Sequence, residues 1–212
     1  GLTEPNAGSD AGGCVTVAEK DGDEYILNGM KCFNTNGPLA DYTAVYALTE
    51  PEKKAKGLSC FVVKKGTPGF SVGKVEDKMG IRSAQVSEMI LENVRVPAEN
   101  MIVPSGDGFK LAMKTLDGGR IGVAAQGLGI AEGAFEIAKE YLKTREQFGK
   151  PLYRNQYLAF KMAELEMEID AAKLMLYKAA ADKQEGRRYS IPAAKAKYLC
   201  TAVSYTHLTL PT

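Results

Sequence analysis

The chain has 212 residues, 27 Lys plus Arg against 26 Asp plus Glu, a net charge of +1, and 45% hydrophobic and 25% charged residues. This is the make-up of a globular protein of one large or two small domains. The near-neutral balance, without a basic stripe or acidic tail, gives no electrostatic basis for a nucleic-acid or membrane-surface role, and no apolar run reaches the length of a membrane span.

The chain opens on Gly1-Leu2-Thr3-Glu4-Pro5-Asn6-Ala7-Gly8-Ser9, which reads as the inside of a functional loop. Small residues let backbone N–H groups approach a phosphorylated cofactor closely, and the Thr3 and Ser9 hydroxyls add hydrogen-bonding capacity. The first half then reads as β. Glu24–Leu27 and Lys31–Phe33 flank Asn28-Gly29, a hairpin signal. Further strands are predicted at Tyr42–Leu48, Leu58–Val63, Phe70–Val75 and Val86–Val96, punctuated by Gly57, Pro68-Gly69 and Gly80. Closely spaced strands without intervening helices predict an antiparallel barrel or sandwich.

A boundary near Pro104-Ser105-Gly106 separates this half from an α half. A first helix is predicted from about Asp107 to Thr144. Its glycines (118, 119, 122, 127, 129) weaken a helix and point to close helix–helix packing or cofactor approach. A second helix is predicted from about Arg154 to Glu185, with Leu158, Met162, Leu165, Ile169, Ala172 and Met175 as its apolar residues and Gly186 as its stop. Met162, Met167 and Met175 read as core filler. A third helix starts at Ser190 as N-cap with Pro192 in its first turn. The whole is an α+β chain: a β-domain (1–104), an incomplete antiparallel helical bundle (105–203), and a tail (204–212) that loses the helical period and reads as non-native.

Cys14, Cys32, Cys60 and Cys200 form no C-x-x-C pair and suit neither a zinc site nor a disulfide framework. They read as reduced thiols, which places the protein in a bacterial cytoplasm or, for a eukaryotic source, a mitochondrial matrix. The single histidine, His207, lies near the C-terminus, so no metal site is predicted.

Five segments in order resemble the acyl-CoA dehydrogenase family, most closely its short-chain, butyryl-CoA-type branch: Leu2–Asp10, Asn28–Asn36, Lys78–Arg82, Leu116–Arg120 and Arg145–Lys150. The likeness extends from Gly1 to about Val203. It implies an FAD-dependent oxidoreductase of fatty-acid β-oxidation, a homotetramer that converts a short-chain acyl-CoA to the trans-2-enoyl-CoA and passes electrons to an electron-transferring flavoprotein. It further implies that this chain lacks the family's first helical domain and the end of its last.

By the same resemblance Leu2, Thr3, Gly8 and Ser9 line the flavin, with Ser9 also near the acyl-CoA. Phe33 and Thr35 lie against the isoalloxazine, with Thr35 near N5, and Asn34 also belongs to the cofactor-binding set. Arg145, Gln147 and Phe148, assisted by Gln156, reach the FAD of a neighbouring subunit. Asp117 and Arg120 contact the CoA part of the substrate. The catalytic glutamate lies outside this chain in most branches. In the isovaleryl and long-chain branches it occupies the position of Gly119, so no residue here is assigned as the base, and Glu132, Glu136 and Glu140 read as helix-face carboxylates. Two other readings stay open: a different flavoenzyme on the scaffold, such as an acyl-CoA oxidase, and a non-catalytic scaffold or binding member.

Overall fold

The computed structural model describes residues 1–208. The chain forms two compact units, Gly1–Met113 and Lys114–Thr212. The first is built on β1 (Val17–Asp21), β2 (Glu24–Thr35), β3 (Tyr42–Leu48), β4 (Leu58–Lys64), β5 (Phe70–Val75), β6 (Val86–Pro97) and β7 (Met101–Val103). They make one seven-stranded sheet in the order β5-β6-β2-β1-β3-β4-β7. Every pairing is antiparallel except β1 with β3, which meet in parallel at Val17 and Leu48, so the sheet is mixed.

The hairpin predicted at Asn28-Gly29 is absent. The chain turns earlier, at Gly22 (φ 62°), between β1 and β2, and β1 is a strand the sequence reading did not contain. Asn28 and Gly29 lie inside the twelve-residue β2. The reason is a bulge in the partner strand: Leu27 pairs with Val94 and Gly29 with Leu91, which leaves one extra residue on β6. Asn93 takes φ 53° there. The Asn28 carboxamide that would have closed a turn instead accepts the Asn93 N–H at 2.7 Å across the ladder. Gly29, at φ 150°, lies against Thr16, whose Cβ would be 2.8 Å from any added Cβ. The bulge also explains the burial pattern of β6. Ser87, Met89 and Leu91 are buried before it, Val94 and Val96 after it, a one-residue change of phase.

Leu27, Val45, Phe61, Val63 and Val94 are fully buried in the sheet core, each worth about 1.5–3 kcal/mol for its apolar area. A second cluster gathers Ala7, Cys14, Tyr46, Leu48, Leu58, Cys60 and Ala112. All four cysteines are buried free thiols, and burial raises the pKa of Cys14, Cys60 and Cys200.

The opening segment is fastened to the sheet by charge. Lys31, in β2, is wholly buried, and its Nζ donates to Glu4 Oε1 at 2.6 Å and to the Leu2 carbonyl at 3.3 Å. Glu4 also accepts the N–H groups of Val15 (2.7 Å) and Thr16 (3.1 Å). Burial raises the Glu4 pKa, but hydrogen bonds from Lys31, Thr16 and Val15 outweigh it, and the carboxyl titrates below its ordinary 4.5.

The helices are α1 (Gly108–Thr144), α2 (Gln156–Gln184) and α3 (Ser190–Leu208), with a two-stranded hairpin of β8 (Glu146–Gln147) and β9 (Lys150–Pro151) between α1 and α2. Asn155, not Arg154, precedes α2, and its side chain caps the Tyr157 N–H at 3.2 Å. The buried stripe of α2 is Leu165, Ile169, Ala172, Leu176 and Ala179, at steps of three and four. It packs on Ala124, Leu128, Ala131 and Phe135 of α1 and on Ala196, Cys200 and Val203 of α3. Met175 falls one residue off the stripe and Met167 lies 66% exposed, so neither fills the core; Met162 alone of the three packs against it.

Gly186 (φ 71°) ends α2 as read. Asp182 closes the corner, accepting from Lys178 (3.1 Å) and Arg187 Nε (2.8 Å). Ser190 is a helical residue rather than an N-cap, and its hydroxyl donates to Asp117 of α1. Residues 204–208, placed in the tail by the sequence reading, continue α3, with Ser204 buried. Tyr, Thr and His are middling helix formers rather than breakers. Residues 209–212 lie outside the described residues.

Two outcomes are expected. Gly29→Ala forces a Cβ into Thr16 at a left-handed φ and costs about 2–3 kcal/mol, measurable as a lowered urea midpoint; an unchanged midpoint would refute this packing. Because the Glu4 pKa is depressed on folding, its contribution is complete above pH about 4.5 and is lost as pH falls through the folded value. Glu4→Gln should therefore flatten stability against pH below about 4.5. At pH 7 it should cost about 3–5 kcal/mol, since it leaves Lys31 buried without its counter-charge.

Candidate functional site

In the β unit the structure brings the opening loop against β2. The Gly1 carbonyl accepts the Tyr46 N–H at 3.0 Å, and the Thr3 carbonyl accepts the Cys32 N–H at 2.9 Å. Leu2 and Thr3 are therefore half-buried on the strand that carries Phe33 and Thr35, while Gly8 and Ser9 lie exposed beyond the Glu4–Ala7 bridge. Nothing lies within 4 Å of the position a Gly8 Cβ would take, so that side of the loop is open. An open recess of about 610 Å³ adjoins the loop, lined by Asp10, Gly12, Gly13, Cys14 and Val15 among others.

Beyond Lys31 the ladder slips again: Lys31 pairs with Met89 and Asn34 with Ser87, so Cys32 and Phe33 face one residue of β6. Phe33 takes φ 56° and is 65% exposed. A left-handed backbone at a bulky residue is costly and is found where the surroundings hold it for a use. Bulges re-aim side chains in this way. Asn34 donates Nδ2 to the Ser87 carbonyl at 3.2 Å, so its side chain braces the bulge. Thr35 is exposed. The Asn36 N–H donates to the Gln85 carbonyl at 2.7 Å, which ties the end of β2 to the loop containing Lys78–Arg82. In that loop Arg82 Nη1 donates to the Lys78 carbonyl at 3.2 Å, a contact that holds the loop.

In the helical unit, Asp117 and Arg120 are paired on α1. The Asp117 carboxylate takes Arg120 on one oxygen and Ser190 on the other, and its side chain is 18% exposed. Arg145, Gln147 and Phe148 belong to the β8–β9 hairpin, and all three are exposed. Phe148 and Gly149 form its turn with φ of 55° and 73°, the paired positive values of a type I′ turn. Asn or Gly normally fills the first of these places. Here it holds a phenylalanine that is 97% exposed. Gln156 opens α2, also exposed.

The three α1 glutamates are each engaged with a lysine: Glu132 with Lys173 at 2.7 Å, Glu136 with Lys139 at 3.7 Å and Glu140 with Lys143 at 2.6 Å. Gly119 has no atom within 4 Å of its Cβ position. Among the described residues no group of three or more His, Cys, Asp or Glu could hold a metal ion, and no helix is long and apolar enough to cross a membrane.

The sequence reading missed the Glu4–Lys31 pair. The partners stand 27 residues apart, in a loop and a strand, with no spacing rule to link them. The one available signal was a lysine between Met30 and Cys32 in a strand, where a charge must be either exposed or paired.

Residues 1–94 match the acyl-CoA dehydrogenase middle domain and residues 106–208 the acyl-CoA dehydrogenase C-terminal domain. The short-chain specific acyl-CoA dehydrogenase of Clostridium acetobutylicum is 53% identical over 197 residues, 93% of this chain and 52% of that protein. The structure of butyryl-CoA dehydrogenase from Megasphaera elsdenii superposes with a TM-score of 0.93 at 54% identity, over 96% of this chain and 53% of the other. A structure described as an electron transferring flavoprotein of Acidaminococcus fermentans, concerned with flavin-based electron bifurcation, contains a chain that matches with a TM-score of 0.93 at 51% identity, again over 96% and 53%. The chain thus spans about half the length of the relatives it matches. With both domain matches in sequence order and the fold reproduced, the chain belongs to the acyl-CoA dehydrogenase family, a family of flavoproteins.

Proposed function

We propose that this chain supplies the flavin-facing and CoA-facing middle of a short-chain acyl-CoA dehydrogenase. The observation that carries the reading is Phe33, an exposed aromatic held at φ 56° on a bulge beside a small-residue loop that is itself fastened to the same strand. An exposed aromatic face, hydroxyls at Thr3, Ser9 and Thr35, and an open backbone at Gly8 fit a planar, phosphorylated cofactor, and FAD is the group this family binds. The likeness to a short-chain enzyme and to butyryl-CoA dehydrogenase supports the substrate class.

In this reading Leu2, Thr3, Gly8 and Ser9 hold the flavin and its phosphates through backbone and hydroxyl groups. Phe33 covers the ring and excludes water, and Asn34 keeps the bulge in register while the Thr35 hydroxyl and N–H face the ring edge. When bound, the flavin supplies a two-electron acceptor for the hydride that leaves the substrate's β-carbon. Asp117 and Arg120 orient the CoA portion. Arg145, Gln147 and Phe148, with Gln156, reach the cofactor of a second copy in a homotetramer. The exposed Arg145 guanidinium, with its planar fork, suits a pyrophosphate. Electrons pass on to an electron-transferring flavoprotein, and the setting is a bacterial cytoplasm or a mitochondrial matrix. In this reading the proton-abstracting base is the glutamate that the family resemblance places outside this chain, and Glu132, Glu136 and Glu140 serve as helix-face carboxylates paired with lysines.

The test is anaerobic titration of the FAD-loaded full-length gene product with butyryl-CoA. Loss of the visible flavin absorbance and formation of crotonyl-CoA are expected; an unaltered flavin with acyl chains of four to eight carbons would overturn the reading. A second outcome separates function from fold at the hairpin. Phe148→Asn suits the type I′ turn better than phenylalanine and should leave the melting temperature unchanged or slightly higher. It should weaken FAD binding about 3- to 10-fold, the worth of one aromatic contact, read by quenching of flavin fluorescence.

A further inference from the structure

We propose that the buried Lys31–Glu4 ion pair is a positioning device that aligns the opening loop with the Phe33 bulge. The proposal rests on the flavin reading above and assigns it two further residues that touch neither flavin nor substrate.

The argument starts from cost. Two charges wholly removed from water are a poor way to gain stability, since a well-packed apolar pair of the same volume does as well or better. What such a pair supplies is a directed connection. The Lys31 ammonium reaches two points of the opening segment, the Glu4 carboxylate at 2.6 Å and the Leu2 carbonyl at 3.3 Å. The carboxylate in turn holds the Val15 and Thr16 N–H groups. The next residue along β2 continues the stitch, Cys32 donating to the Thr3 carbonyl. The residue after that is Phe33.

Lys31 therefore stands at the last regular rung before the bulge, paired with Met89. Its side chain fixes the loop on one side and its backbone fixes where the bulge begins. Apolar side chains at these two positions could fill the same space, but they carry no hydrogen bonds to set the loop's place along the strand. The ion pair converts a generic contact into a register. The spacing of Thr3 and Ser9 from Phe33 and Thr35 depends on that register, and a planar cofactor tolerates little error in it.

The experiment uses the full-length gene product and three variants: Lys31→Met/Glu4→Gln, which removes both charges and keeps the volume; Glu4→Asp, which keeps the charges and withdraws the carboxylate by one methylene; and Lys31→Met alone. Each is measured for melting of the apoprotein, FAD dissociation constant and visible circular dichroism of bound flavin. The double variant should melt close to wild type, yet bind FAD about tenfold more weakly with an altered flavin dichroism. Glu4→Asp should show the same signature in milder form. Lys31→Met alone should be the least stable, because it strands the carboxylate.

A folded double variant or Glu4→Asp variant with wild-type FAD affinity and dichroism would overturn the proposal. Failure of all three to fold would overturn it too, since the pair would then be a plain determinant of the fold. If wild type itself binds no FAD, it is the flavin reading that fails, and the two failures are told apart by that single control.

Discussion

The β unit depends on one buried contact, the ammonium of Lys31 against the carboxylate of Glu4. Besides it, the first nine residues are held by backbone hydrogen bonds at Gly1, Thr3 and the Glu4–Ala7 bridge and by the packing of Leu2 and Ala7 in the second cluster. With it, the same residues are tied to β2 and, through Val15 and Thr16, to the start of β1. The energetics are asymmetric. Both charges together cost little more than an apolar pair, while either alone costs about 3–5 kcal/mol. The contact is thus maintained as a unit, and the loop has one position along the strand instead of several.

Two exposed phenylalanines on left-handed backbone, Phe33 and Phe148, use the rigidity around them. Each left-handed bulky residue carries strain on the order of 1–3 kcal/mol. At Phe33 the strain is held by flanking ladder pairs at Lys31 and Asn34 and by the Asn34 side chain on Ser87. At Phe148 the flanking hairpin is only two residues a side, so the strain is borne by the turn and by the Leu152 N–H to Arg145 carbonyl bond below it. In both places the fold gives up a turn or strand residue that would sit comfortably and presents an aromatic ring to solvent. Neither ring is in the apolar core, so core packing does not account for the choice.

The helical unit is held differently. Its core is a narrow apolar seam along α1, α2 and α3, and most of its ion pairs lie on exposed faces, where solvent screens them; Asp182, buried between Lys178 and Arg187, does not. The glycines of α1 divide into two groups. An added Cβ at Gly127 would sit 3.1 Å from the Cys200 carbonyl of α3, so that glycine sets how closely the two helices approach. Gly119, Gly122 and Gly129 have open space and no contact among the described residues requires them, yet each weakens the helix by about 0.8–1 kcal/mol relative to alanine.

How much of this was legible in sequence follows from the range of each interaction. Helix positions were readable because an apolar stripe repeats within one segment, and Gly186 stopped α2 where its left-handed φ allowed. The strands were readable as runs but not as partners. Asn28-Gly29 has the composition of a turn, and only the extra residue at Asn93, 65 residues away, makes it continuous strand. Met167 and Met175 looked apolar enough for the core, but one residue of phase decides burial on a helix. The candidate site shows the same division. Phe33, Thr35, Arg145 and Phe148 could be named because the family resemblance marks them. The left-handed backbones of Phe33 and Phe148 and the Glu4–Lys31 pair could not, because a bulge, a turn and a buried charge are properties of two strands or a strand and a loop together. A lysine in a strand carries no mark of whether water or a carboxylate will meet it. That is settled only when the loop 27 residues upstream folds onto it, and the residue that most constrains the site is for that reason the one least visible along the chain.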